Sequence, residues 1–126
     1  MSFKWGKKSA ERLKECDVRL QALCNKMLER SAFDLTITCG HRNKEDQEAA
    51  FNEGRSKAHF GQSKHNSFPS KAVDIVPCPV NWDTSDARWP MMVALAYDCA
   101  RQIGIKIRCG AFFTGLADWP HIELED

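Results

Sequence analysis

Apolar positions recur at three- and four-residue steps from Leu13 through Cys16, Leu20, Leu23 and Met27 to Leu28. This is the stripe of one amphipathic helix over roughly residues 10–30. Ser9 stands where it can cap that helix, with Glu11 in the first turn. The period then shortens. Phe33 to Cys39 alternates in part and is rich in β-branched residues, so Asp34–Cys39 is expected to be a strand broken at Gly40. His41-Arg42-Asn43 reads as a polar loop, and a helix over 44–53 should stop at Gly54. Residues 55–71 hold Gly61, Pro69 and four serines, a loop composition. A loop that long is usually functional or disordered.

Ala72–Val76 is a short apolar run that Pro77 should end. Asp74 is its anomaly, because alternation sets it on a strand face and a carboxylate there needs a partner. After a second loop over 77–88, a helix from Trp89 or Pro90 to Ile103 buries Met92, Leu95, Ala96, Cys99 and Ile103, with Gly104 past its end. Ile105–Cys109 alternates as a strand, Gly110–Trp119 is an aromatic loop, and His121–Leu124 alternates as a final edge strand. The order α, β, α, loop, β, α, β, loop, β predicts an α+β fold: a small antiparallel sheet with helices packed on one side. Strands this few and short disfavour a doubly wound sheet.

Composition narrows the class. A chain of 126 residues is expected to form one domain, and four tryptophans and seven phenylalanines suffice for its core. Formal net charge is +1, with no cluster of Lys and Arg that would argue for nucleic acid. The basic start (Lys4, Lys7, Lys8, Arg12, Lys14) is diluted by Glu11 and Glu15 and reads as a solvated helix face. None of the six cysteines has C-x-x-C spacing, which removes a thiolate zinc knuckle and leaves reduced, mostly buried thiols as the expectation. The N-terminus lacks the apolar core of a signal peptide, and no apolar run approaches a membrane span.

The chemistry concentrates in two stretches. Ser63-Lys64-His65 and Ala72-Val73-Asp74 place a histidine and a carboxylate nine positions apart, and Asp118-Trp119-Pro120-His121-Ile122-Glu123 supplies a second histidine beside an acid. Two imidazoles and a carboxylate are a common zinc shell, and three protein ligands with an open position are the catalytic form. Spacing alone does not bring them together. Pro120 excludes a helical turn through Asp118–His121, so this is not the helical H-E-x-x-H site. A turn into the strand can still aim both side chains into one cleft. Non-haem iron takes the same trio, but on a many-stranded barrel that this chain lacks.

These residues carry a family pattern. The chain resembles the D-alanyl-D-alanine carboxypeptidase-like (VanY-type) zinc peptidases and, more closely, the bacteriophage L-alanyl-D-glutamate endopeptidase endolysins. The shared features are Ser-x-His, Ala-x-Asp, an acid three before a histidine, and then x-Glu. Arg42 after the first strand, followed by Gln47, and the opening Met1-Ser2-Phe3-Lys4-Trp5-Gly6 also fit. The resemblance implies the small α+β fold shared with the hedgehog signalling domain. It implies zinc on His65, Asp74 and His121, Asp118 as general base and acid, and Arg42 with Ser63 and Gln47 toward substrate. The expected substrate is the stem peptide of peptidoglycan, cut in host lysis. The expected protein is a monomer without a separate wall-binding domain. It would wait in the host cytoplasm for a holin-type membrane permeabiliser.

Two features depart from the family. The His65–Asp74 interval is longer than the compact spacing, with the excess in a loop holding Pro69. In Cys109-Gly110-Ala111-Phe112-Phe113, the phenylalanines stand where relatives often carry a Gly-Gly-Asp-Trp-like run, which leaves the bond preference open. Trp82, Phe112, Phe113 and Trp119 are candidates to line a groove, whereas Trp89 reads as core. Glu123 is either an acceptor behind His121 or an outward carboxylate, and Ser56, Lys57 and His59 are cleft-rim candidates. The alternative activities are a D-alanyl-D-alanine carboxypeptidase or dipeptidase and a non-catalytic zinc-stabilised wall-binding or signalling module.

Overall fold

The computed structural model describes residues 3–126, so Met1 and Ser2 of the endolysin-like opening lie outside the described residues. Four helices and four strands follow in the order α1 (Lys7–Lys14), α2 (Val18–Arg30), β1 (Asp34–Cys39), α3 (Lys44–Asn52), β2 (Ala72–Cys78), α4 (Arg88–Ile103), β3 (Ile107–Cys109) and β4 (His121–Leu124). The strands form one antiparallel sheet in the order β1-β2-β4-β3. Helix α1 packs on β1, α4 on β2 and β3, and α2 on α4. The core lies between these layers. Leu20, Leu23, Met27, Ile37, Ile75 and Trp89 are among its fully buried side chains. Each such burial contributes about 1.5–3 kcal/mol.

The single helix expected over 10–30 is two helices. Asp17 interrupts it by capping α2, its carboxylate accepting from Arg19 N at 2.9 Å. The backbone of Glu15–Asp17 pairs outward instead: Ser70 N donates to Glu15 O and Asp17 N to Ser70 O, both at 2.8 Å. The apolar stripe runs unbroken across the joint, so periodicity alone does not show it. Ser9 is no cap. It is buried inside α1, and its hydroxyl accepts from Ile37 N at 3.0 Å, tying α1 to β1. Pro77 does not end β2 either, since Leu35 pairs with Pro77 and Asp34 with Cys78. Strand β4 pairs only with Ala72–Asp74, so the proline's missing N–H falls where β2 has a neighbour on one side only. Helix α4 ends as expected, with Gly104 left-handed at φ 76°.

The long loop is ordered by its polar residues. Ser63 caps a short 3-10 turn over Lys64–Asn66, accepting from His65 N at 3.2 Å, while Asn66 reaches back to Ser63 N at 3.1 Å. Ser70 is fully buried; its hydroxyl donates to Ala72 O at 2.6 Å and lies 3.2 Å from Gly40 O. Lys71 N donates to Lys64 O at 3.1 Å. These bonds close the extended His65–Asp74 interval into a compact excursion.

Candidate active site

Sheet register assembles the site. Asp74 on β2 stands directly opposite His121, the first residue of β4, and opposite Cys39, the last residue of β1. Facing residues on neighbouring strands lie about 4.5–5.5 Å apart. The 3-10 turn adds His65 to this row. His65 Nε2 lies 3.2 Å from Asp74 Oδ1 and 3.2 Å from His121 Nδ1, and His121 Nδ1 lies 3.5 Å from Asp74 Oδ1. Three donor atoms therefore converge on one point. His65 and His121 are buried.

The far nitrogens are engaged as well. His65 Nδ1 lies 2.8 Å from Gly40 O, and His121 Nε2 lies 2.8 Å from Glu123 Oε1. Each acceptor fixes a ring proton on the outer nitrogen and turns a lone pair inward. Two imidazole lone pairs and a carboxylate oxygen then face one another with no proton required between them, which fits a cation. Glu123 is thus an acceptor behind His121 rather than an outward carboxylate. Lys64 braces it at 3.3 Å.

Without a cation the cluster holds protons. Burial opposes the charge on His65, but its bonds to Asp74 and Cys39 outweigh this and push it up to about 10. His121 is raised in the same way by Asp74 and Glu123 against the cost of burial. Burial would raise Asp74, yet His121 and His65 hold it well below the usual carboxylate range. A metal would displace these protons.

Asp118 stands beside the triangle, outside it. A turn closed by His121 N donating to Asp118 O at 3.2 Å brings its Oδ2 to 3.9 Å from His121 Nδ1. Its side chain is 52% exposed and opens on the cleft. Its pKa is raised, first by desolvation and then by the charge of Asp74. Gly110 makes the turn possible. Its carbonyl accepts from Asp118 N at 2.9 Å, and a Cβ there would overlap the Asp118 carbonyl oxygen and lie 2.9 Å from His121 Cβ.

Arg42 flanks the other side, its Nη2 at 3.9 Å from Asp74 Oδ2. Gln47, expected among the substrate contacts, is fully buried and positions this arginine instead. Its Oε1 accepts from Arg42 Nη1 at 3.2 Å and Asn66 Nδ2 at 3.1 Å, and its Nε2 donates to Ser56 and Ala58 O. Ser63 lines the cleft while capping the turn that carries His65. Trp119, expected among the substrate contacts, does not line the main cleft; it lines a smaller pocket with Trp82, Thr84 and Trp89 that Asp118 also borders. Trp89 itself is core. Ser56 and Lys57 line the main cleft of about 680 Å³, whereas His59 pairs with Glu48 at 2.9 Å beyond its lining.

Cys39 was missed by sequence reasoning, which expects only reduced, mostly buried thiols. Its sulfur lies 3.7 Å from His65 Nδ1 and 3.6 Å from Arg42 Nη2. Cys39, His65 and Asp74 each offer a ligand atom within a 4.8 Å cluster. The sulfur, however, faces the His65 nitrogen already committed to Gly40 O. It therefore belongs to the support around the triangle. Gly40 was read only as a strand breaker. Its carbonyl aims His65, and no property of the residue type signals that.

A small α+β domain with two imidazoles and a carboxylate converging in an open cleft, beside a further carboxylate, defines a metal-dependent hydrolase of the peptidase type. The chain matches the phage L-alanyl-D-glutamate peptidase family over residues 1–124 and belongs to that family. It is 30% identical over 128 aligned positions to the L-alanyl-D-glutamate peptidase of Escherichia phage T5, covering 99% of this chain and 91% of that one. Its fold matches that of the Serratia marcescens L-Ala D-Glu endopeptidase ChiX with a TM-score of 0.81 at 24% identity, over 96% of this chain and 90% of the other.

Proposed function

We propose that this chain hydrolyses the L-alanyl-D-glutamate bond of peptidoglycan stem peptides, with zinc held by His65, Asp74 and His121. The observation that carries this is the inward-facing triangle with Asp118 at its open side. Two imidazoles and a carboxylate suit zinc, which when bound supplies Lewis-acid activation of water and of the scissile carbonyl. The protein's own groups do the rest. Asp118 accepts the proton of the attacking water at its carboxylate and returns it to the departing amine. Its raised pKa keeps it a useful acid after it has served as base. Arg42, held by Gln47, presents guanidinium N–H groups toward the carbonyl oxygen as negative charge develops there. Gly40 O and Glu123 hold the two imidazoles in orientation throughout.

All these groups come from one chain, which supports action as a monomer. The same proposal has the enzyme accumulate in the host cytoplasm and reach the wall once a holin-type partner permeabilises the membrane. Expression with and without such a partner, read as culture lysis, checks that part. The chemical step is tested with Asp118→Asn. Zinc content should stay near that of the parent, while turnover on purified peptidoglycan falls about 10²–10⁴-fold. A zinc-loaded variant with full turnover contradicts the role given to Asp118.

A further inference from the structure

The cleft carries more positive charge than hydrolysis of a neutral amide requires. Arg42, Arg55, Lys57 and Arg108 all line it, whereas its only carboxylates are Asp74 and Asp118, both already assigned. Arg42 is already assigned to the scissile carbonyl, and Arg55 pairs with Glu53 at 3.1 Å. Arg108 is different. It is exposed on β3, and among the described residues no carboxylate pairs with it. Its cross-strand neighbour Glu123 is the obvious candidate, but that carboxylate is spent on His121 at 2.8 Å and Lys64 at 3.3 Å.

The guanidinium of Arg108 lies instead over the Phe113 ring, 4.6 Å from its centroid. Phe113 in turn packs on His121, with ring centroids 5.4 Å apart. Stacking uses the face of a guanidinium and leaves its N–H edge free to bind a carboxylate with two parallel hydrogen bonds. The aromatic segment that departs from the family pattern therefore anchors a pre-oriented anion receptor to the wall of the catalytic histidine. Lys57, from the stretch after α3, adds a second cation to the same cleft.

We infer that Arg108, braced on Phe113 and assisted by Lys57, is a specificity-determining subsite for the free carboxylate of the glutamyl residue on the leaving side of the scissile bond. The inference rests on the proposed peptidase reading and deepens it. In the stem peptide the D-glutamyl residue is linked onward through one of its two carboxyl groups and carries the other free. Some walls present that group as a carboxamide. A carboxamide has no charge and cannot accept a bidentate pair, so the enzyme should discriminate between the two forms.

The test compares two soluble stem peptides, identical except for a free carboxylate or a carboxamide on the D-glutamyl residue, with zinc-loaded enzyme. The parent should prefer the carboxylate form by about tenfold or more in kcat/KM, mostly through KM. Arg108→Gln should bring that preference close to one through a rise in KM for the carboxylate peptide, while zinc content stays at the parent's level. Arg108→Lys should recover part of the preference, as a point charge without the planar fork. Equal cleavage of both peptides by the parent overturns the subsite but leaves the peptidase reading intact. A preference that survives Arg108→Gln overturns the assignment to Arg108. Cleavage of neither peptide by folded, zinc-loaded parent overturns the peptidase reading and the subsite with it.

Discussion

Each residue of the site is held by a specific partner. His65 depends on Gly40 O, His121 on Glu123, and Arg42 on Gln47. Glu123→Gln keeps a hydrogen-bond acceptor but removes the charge behind His121, so metal affinity should fall about 10–100-fold with the fold intact. Isothermal titration with zinc measures it, and unchanged affinity would remove Glu123 from the support. The raised pKa of Asp118 is also testable in the metal-free protein. Burial and the Asp74 charge both favour its protonated form, so its titration by carboxyl NMR should lie above the usual aspartate value. Asp74→Asn removes the like charge and should move that titration down. Asp74 stood out in the sequence as a carboxylate in an apolar strand, but the choice of His65 and His121 among four histidines came from the family resemblance. Cys39 and Gln47 were not legible, since their roles come from what they touch.

Among the elements, the joints decide the site, and the joints are backbone events. Gly40 closes β1 with Arg12 packed against its Cα: a Cβ there would overlap the Arg12 carbonyl oxygen. Gly40→Ala must therefore push α1 from the sheet or shift the carbonyl that aims His65. A destabilisation of about 1–3 kcal/mol by denaturant unfolding is expected, with weakened metal binding beside it. Gly110→Ala should separate differently, because its Cβ meets the Asp118–His121 turn rather than α1. Its larger effect should be on kcat. Element types were readable from period: the stripe from Leu13 to Leu28 and the alternation at 34–39 are both real. The break at Glu15–Asp17 was not, because the apolar stripe continues across the Asp17 cap and the backbone partner of Glu15 and Asp17, Ser70, lies more than fifty positions away. The expected end of β2 at Pro77 failed because the test for a proline is its neighbours in the sheet.

At the scale of the molecule, the chain end is stapled to the helical layer. Arg19 bridges Asp17 and Asp126, and Lys71 reaches Asp126 at 3.4 Å. Hydrogen bonds from Arg19 hold both aspartates below their ordinary values. Their folded pKa is depressed, so their stabilisation is present above the unfolded aspartate pKa and is lost as pH falls through the depressed one. Acid unfolding of Arg19→Ala should begin at higher pH than that of the parent, and added salt should narrow the difference. A metal at the proposed site, whose residues come from β2, β4 and the loop between β1 and β2, would bind the folded state alone. At a hundredfold excess of free zinc over its dissociation constant, stability should rise by about 2.7 kcal/mol. Among the described residues no helix is long and apolar enough to cross a membrane. The α+β class was legible from element order, but the strand order was not: β4, expected at an edge, lies between β2 and β3, and the row Cys39, Asp74, His121 is a fact of register that no single stretch encodes.

The bond that is cut defines the enzyme. The most direct measurement is mass spectrometry of purified peptidoglycan after digestion by the zinc-loaded protein, with newly exposed amino groups labelled. A new amino-terminal D-glutamyl residue is expected, absent from the zinc-loaded Asp118→Asn digest. Release of D-alanine instead would place the activity in the carboxypeptidase branch. No product from folded, zinc-bound protein on any wall type would contradict hydrolysis and leave a zinc-stabilised binding module.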